Sequence, residues 1–538
     1  RRVLFRSMKR VLMSVLGFFV IVLTASAQFK MSEGSKKVAT TIAVIENMYV
    51  DKVDDGKLAE DAVKALLEKL DPHSTYISAD EVKDMNEPLE GNFDGIGISF
   101  NMLTDTLYVI EALPGGPSEK VGLRAGDKIL YVDDTLIAGV KMSTKDVMSR
   151  LKGPKGTSVN LKVQRKGIAD LLSFKIIRDK IPIYSIDATY MVDKTTGYIR
   201  IIRFGATTTE EFRKALQKLK EKGMENLILD LEYNGGGYMA PATEIADDFL
   251  DAGKLVVYTE GLRQPRRDEV STVKGAFEKG RLVVLINEGS ASASEILSGA
   301  VQDWDRGVIV GRRSFGKGLV QRQIPLPDES MIRLTVARYY TPTGRSIQKP
   351  YTKGDIMSYN LDVIERYNKG EMMHADSIHF PDSLKYTTLL NHRTVYGGGG
   401  IMPDYFVPAD TTFASEYYRK IWNKGITLRI AYNEVDNHRT EILQKYPTAT
   451  DFYKQYQVSD EIMNKLIAAG KDEKVDFDED GYEKSKETLK RQIKAYIARD
   501  VYDTETMVRV FNEDSETFKK AYEIIRNEKM YNGLLKGK

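Results

Sequence analysis

The sequence predicts an α+β multidomain chain, with an α/β core, a β-module inserted ahead of it, and helical N- and C-terminal regions. Three observations carry this. Apolar residues recur at helical spacing from Val38 to Leu70 and again beyond Thr412. Short β-like runs punctuated by Gly and Pro fill Gly91 to Arg178. Between Ile181 and Pro350, wholly apolar runs such as Leu227 to Leu231 and Leu282 to Ile286 alternate with helical stretches and read as strands buried on both faces. At 538 residues the chain is too long for one core.

The 79 basic and 77 acidic residues leave a net charge of +2, so no global field draws in nucleic acid or an anionic membrane, and a polymer substrate is expected to be protein. The absence of cysteine excludes thiol catalysis, thiolate zinc sites and disulfides. Near the start, Lys9 and Arg10 precede an apolar run from Val11 to Leu23 that ends in Ala25-Ser26-Ala27. Residues 8–27 therefore read as a secretory signal peptide, and the mature chain is expected to be exported, periplasmic or envelope-associated. The run is shorter than the roughly 20 residues a bilayer span needs. Residues 1–7 read as upstream translation.

An N-terminal helical region, 32–88, contains the stripe Ile42, Ile45, Met48, then Leu58, Val63, Leu66 and Leu70, halted by Pro72 in "LDPHSTYIS". In 89–180, "FDGIGISF", the turn-rich "GGPSEKVGLRAGDKILYVDD" and the helical "STKDVMSRLKG" follow in an order that resembles a PDZ domain. There the amides of Gly95, Ile96, Gly97 and Ile98 would hold a peptide carboxylate while the peptide adds a strand. The core, 181–410, runs through "NLILDLEYNGGG" and "RLVVLINEGSASAS" to a hairpin, "GLVQRQIPL" and "MIRLTVARYY", and "GGGGIMPD" suggests a return to the core. Residues 411–538 form the C-terminal helical domain, with Leu489, Ile493, Tyr496, Ile497 and Val501 on one stripe.

Three segments of the core can bear chemistry. After "RLVVLI" a helix must start near residue 292, and Ser292-x-x-Glu295 fits a capping box. The same run of small residues also leaves open amides at a helix N-terminus, a position suited to a nucleophile. The local pattern leaves both open. The five histidines lie in no triad setting or helical metal pair, so a base must be sought elsewhere. Lys317, between Gly316 and Gly318, can serve if desolvation, with Phe315 and Leu319 as candidate walls, brings its pKa from about 10.4 to near 7. "NGGG", Asn234 to Gly237, is a tight turn, an anion loop or an oxyanion hole, and lacks the G-K-[ST] of a phosphate loop.

In order, "DPHSTYIS", the PDZ-like segment, "NGGG", "GSASASEI", "SFGKGLVQ" and "TPTGRSIQ" resemble the carboxyl-terminal processing proteases, S41-type Ser-Lys endopeptidases with an embedded PDZ domain. The resemblance spans about Val38 to Asp404. It implies a crotonase/ClpP-like protease core, Ser292 as nucleophile, Lys317 as base 317 − 292 = 25 residues on, and Gln321 orienting the lysine. It further implies an oxyanion hole from Ala293 and Gly236, substrates that are proteins or peptides with free C-termini, no metal or other cofactor, and helices that shape a tunnel or a homodimer. On an ideal strand Gln321 would lie about 13 Å from Lys317, so the backbone must turn at Gly316 or Gly318. Where the family has Arg two positions before the Asn of "NGGG", this chain has Glu232. That charge reversal keeps a second expectation in view, a catalytically impaired relative acting as a PDZ scaffold for envelope proteins.

Overall fold

A computed structural model describes residues 32–537 apart from 104, 114, 273 and 274, so the signal-peptide reading lies outside the described residues. Among the described residues no helix is long and apolar enough to cross a membrane. The chain divides into two compact units, the second starting at Asp71. The first holds α1 (Glu33–Met48) and α2 (Asp55–Glu68), begun by the side chains of Ser32 and Asp54, which accept from Ser35 N and Lys57 N.

The second unit opens with strand Thr75–Ile77, antiparallel to a later hairpin, and α3 (Ala79–Glu90). The β-module follows. Strands Asn92–Gly95 and Asp179–Pro182 pair at its root, and the sheet between them is a run of antiparallel neighbours covered by α4 (Thr144–Leu151). Strand Ser158–Gln164 alternates strictly between buried and exposed, putting Val159, Leu161 and Val163 against Val147 and Leu151 of α4.

The core sheet contains β1 (Ile186–Met191), β2 (Thr196–Ile201), β3 (Asn226–Asp230), β4 (Leu282–Ile286), β5 (Val308–Gly311) and, after the hairpin β6 (Leu319–Pro325) and β7 (Met331–Tyr340), the short β8 (Tyr405–Phe406). Spatial order is β1-β2-β3-β4-β5-β8, parallel except for β1 against β2. The return at "GGGGIMPD" is thus β8 pairing with β5. Period-two alternation divides each central strand between two cores. Leu282, Val284 and Ile286 face α5 (Thr208–Glu221), α6 (Met239–Phe249) and α7 (Ala293–Asp303), whereas Val283 and Leu285 face the opposite layer.

That opposite layer refines the organisation expected from sequence. Within 411–538, α8 (Ile426–Lys445) and α9 (Glu479–Val501) belong to a bundle with its own core. The helices α10 (Thr504–Asn512), α11 (Glu516–Arg526) and α12 (Glu528–Leu535) instead cover the second face of the core sheet, through Val508, Ala521, Ile524, Ile525 and Tyr531. Burying a side chain of this size contributes about 1.5–3 kcal/mol. The bundle also rests on the β-module, where Lys166 Nζ donates to Asp436 O at 2.9 Å and Asn101 to the Tyr432 hydroxyl. In "TPTGRSIQ" the fully buried Arg345 donates to Asp303 Oδ1 at 2.5 Å and Gln302 Oε1 at 2.9 Å, anchoring the far end of the helix that starts after Ser292.

Candidate active site

Three loops at the C-terminal ends of β3, β4 and β5 meet in one cleft of about 580 Å3, lined by Gly235 to Gly237, Ser292, Ala293, Lys317, Gln321, Arg333 and Tyr339 among others. The loop after β4 sorts the three serines. Ser290 Oγ donates to Leu231 O at 2.7 Å and Ser294 Oγ to Asn234 O at 2.8 Å, both fully buried, so these two hydroxyls stitch the serine run to the glycine loop. Ser292 is left in the cleft, held at φ 57° and ψ −111° as α7 begins. A non-glycine residue there stores on the order of 1–3 kcal/mol of strain, of the kind found where a side chain must be presented at a sharp strand-to-helix turn.

Glu295 organises the site. Its Oε2 accepts from Ser292 N at 2.7 Å and Lys317 N at 2.9 Å, and its Oε1 accepts from Ser314 Oγ at 2.5 Å and Gly316 N at 2.7 Å. One carboxylate thus joins the backbones of Ser292 and Lys317. Burial pushes it up to about 7 against the pull of those four donors. The Tyr339 hydroxyl makes a second link, to Ser292 O at 3.1 Å and to Lys317 O. The helix cap and the junction of the two loops therefore coincide, because Glu295 reaches back to the Ser292 N–H and also accepts from Lys317 N.

Burial, and secondarily Arg333, lower Lys317 to about 8, opposed by Glu295 and Asp71. Of the two expected walls, one lines the cleft. Leu319 does line the cleft, but the Phe315 ring lies 4.0 Å from Lys349 Nζ and packs edge-on to Tyr359. The backbone turns at Gly316, φ 90°, and β6 carries a bulge between Val320 and Gln321. Gln321 reaches the cleft, where its Nε2 donates to Thr335 Oγ1 at 3.2 Å, and Thr335 Oγ1 donates to Asp71 Oδ1 at 2.9 Å. Lys317 Nζ forms no hydrogen bond with Gln321 or Ser292 in this arrangement. From sequence, "DPHS" reads as a helix stop and as part of a family motif, without a role at the site. Its Asp71 faces the lysine, and its His73 is lowered to about 4, by burial first and then by the Lys317 charge, so that it stays neutral.

In the glycine loop, a Cβ on Gly236 would sit 2.8 Å from Ser292 Cβ and 2.8 Å from Ala291 O, so only glycine lets this loop approach the serine. The Gly236 N–H donates to Asn234 Oδ1 at 2.9 Å, whereas the Ala293 N–H has no acceptor among the described residues. Asn234 is itself pinned through Nδ2 to Ile201 O at 2.8 Å, and Tyr233 N to Asn287 Oδ1 at 2.9 Å. The loop thus holds its shape without an ion pair at Glu232. The Glu232 carboxyl instead crowds Asp230 and Glu288 while Arg312 pairs with Glu288 at 2.8 Å, and burial pushes both Glu232 and Asp230 up. A carboxyl raised in the fold resists ionising there, so its contribution to stability is lost as pH rises through the folded value. Glu232→Gln is therefore expected to flatten the fall in melting temperature between about pH 4.5 and pH 8. Parallel melting curves for parent and variant would exclude this.

On the β-module, Gly95, Ile96, Gly97 and Ile98 line an apolar groove of about 570 Å3 against α4. Ser118 takes Ile96 O and Leu113 N takes Gly97 O, while the N–H groups of Ile96 and Gly97 have no acceptor among the described residues.

Residues 195–358 match peptidase family S41, 95–176 a PDZ domain, 21–81 the activating protease CtpB N-terminal domain, and 417–503 a family of unknown function, DUF8443. The carboxy-terminal-processing protease of Bartonella bacilliformis is 38% identical over 309 residues, 56% of this chain and 70% of that one. The chain belongs to the carboxy-terminal processing protease family. Carboxy-terminal processing protease CtpB of Bacillus subtilis is 34% identical over 331 residues, 61% of this chain and 68% of its own. Among solved structures, a photosystem II D1 C-terminal processing protease has 28% identity, covering 59% of this chain and 91% of that one, at a TM-score of 0.34. The protein is a C-terminal processing serine protease with a PDZ domain.

Proposed function

We propose that the chain is an exported endopeptidase that captures protein C-termini in its PDZ groove and cleaves by a Ser292–Lys317 dyad. The observation that carries this reading is the shared hold on the two residues, whose backbones meet on the Glu295 carboxylate and the Tyr339 hydroxyl beside a lysine lowered to about 8. Neutral Lys317 takes the Ser292 hydroxyl proton as Oγ attacks the peptide carbonyl. The tetrahedral oxyanion is received by the Ala293 N–H and by Gly236, whose N–H turns from Asn234 Oδ1. Lys317 passes its proton to the leaving amine and the acyl-enzyme forms. Water then attacks, giving a proton to Lys317, which passes it to Ser292 Oγ as the acyl–oxygen bond breaks and the carboxylic acid leaves. Gln321 acts through Thr335, fixing Asp71 beside the lysine.

The test is labelling by a serine-directed fluorophosphonate, with the modified residue read by mass spectrometry. Only the neutral amine accepts a proton, so the rate is expected to rise with pH and level off above about 8, with Glu295 contributing the part of the rise near 7. Label on Ser290 or Ser294, or a rate flat from pH 6 to 9, would falsify the dyad.

A further inference from the structure

The PDZ groove and the catalytic cleft share a wall, α3. Glu87, on its last turn, lines the groove and is 6% exposed. Its Oε2 is 2.5 Å from Lys152 Nζ, and Lys152 is the residue that closes α4. Its Oε1 has no hydrogen-bond partner among the described residues, and Lys83 Nζ stands 3.9 Å from it. Lys152 also lies 3.4 Å from Asp84 and over the Phe93 ring at 5.2 Å. Gly153, the next residue, donates its N–H to Asp94 O at 3.3 Å, so the lysine joins the groove beside the strand that runs into Gly95 to Ile98, and it lines that groove with them. A buried carboxylate, half satisfied, is thus held by a cation in the same groove that the unpaired N–H groups of Ile96 and Gly97 line. An unpaired buried carboxylate oxygen is unfavourable, so this is an arrangement that an external carboxylate with better partners can displace.

We propose that Glu87 is an internal stand-in for the ligand's C-terminal carboxylate. It occupies Lys152 while the groove is empty, and a docking chain with a free C-terminus takes Lys152 from it. This rests on the reading of the groove as a C-terminus site. Affinity for a free C-terminus is then set by exchange rather than by simple addition, since the ligand must replace an ion pair the chain already makes. The exchange also happens close to the catalytic cleft. Pro88 lines the groove, and Leu89 lines the cleft and accepts Ala206 N at 2.7 Å.

The experiment uses the full chain with Ser292→Ala, so that no ligand is cut, and a fluorescent octapeptide with an apolar last residue, as the free acid and as the amide. Anisotropy is expected to show that Glu87→Gln binds the acid about ten-fold more tightly and the amide unchanged. Lys152→Gln should remove the preference for acid over amide, and in that background Glu87→Gln should give no gain. An acid affinity unchanged or weakened by Glu87→Gln, or an equal gain for the amide, overturns the proposal while leaving the groove as a C-terminus site. If the parent itself does not prefer acid to amide, the reading of the groove fails and the proposal with it.

Discussion

Lys317→Ala is expected to reduce cleavage of an unfolded protein by at least about a thousand-fold, as is Ser292→Ala, and the two together by little more than either alone. Groups that act in one proton transfer fail as a unit, and what remains comes from binding and the oxyanion donors. The argument for the lysine is its buried position. A shift from its ordinary 10.5 to about 8 leaves roughly a tenth of it neutral at pH 7 and half at pH 8. Lys317→Arg should not rescue, because a guanidinium keeps its proton at every pH the protein survives. Free-acid peptide binding to the PDZ groove serves as the control for folding. Three equally inactive proteins, all still binding C-termini, would instead make the chain a PDZ scaffold.

Glu295→Gln is expected to cost about 30- to 1000-fold in kcat/KM with peptide binding in the groove intact. All four neighbours of the Glu295 oxygens donate. An amide keeps the shape but presents an NH2 where one pair of donors needs an acceptor, so in either flip at least one backbone N–H is left unpaired in a buried place. Two lost charge-assisted bonds amount to about 2–4 kcal/mol, which at 1.4 kcal/mol per factor of ten gives the stated range. Fluorophosphonate labelling of Ser292 should slow in parallel. Labelling at the parental rate would reduce Glu295 to a helix cap.

Local pattern carried much of this. The all-apolar runs of β3 and β4 declared strands covered on both sides, the hairpin and the return at β8 followed from turn residues, and the helix start at Ser292 is where periodicity placed it. What was not legible depends on partners distant in sequence. Nothing near Phe315 announces that Lys349 will take its ring, and nothing in "DPHS" announces that Asp71 will meet Thr335 and Gln321. Glu295 could be read as a cap because that interaction is three residues long, whereas its bonds to Gly316 and Lys317 span 21 and 22. The two roles of residues 411–538 were hidden for the same reason. An apolar stripe tells that a helix is packed but not against what, and the one-sided apolar faces of α10 and α11 do not say that a sheet will meet them.

The late arrival of α10 to α12 has a bearing on when the protein can act. Until those helices emerge during synthesis, Tyr198, Ile228, Val283, Leu285 and Val310 have no cover on one side of the very strands whose loops hold Ser292, Lys317 and the glycine turn. Asn512 meets Tyr190 only across 322 residues of chain. Contacts so far apart close last, and an uncovered sheet face leaves the layer unsettled until they do. The loops that carry Ser292, Lys317 and the glycine turn are thus expected to settle only once α10 to α12 have docked on the far face of the sheet.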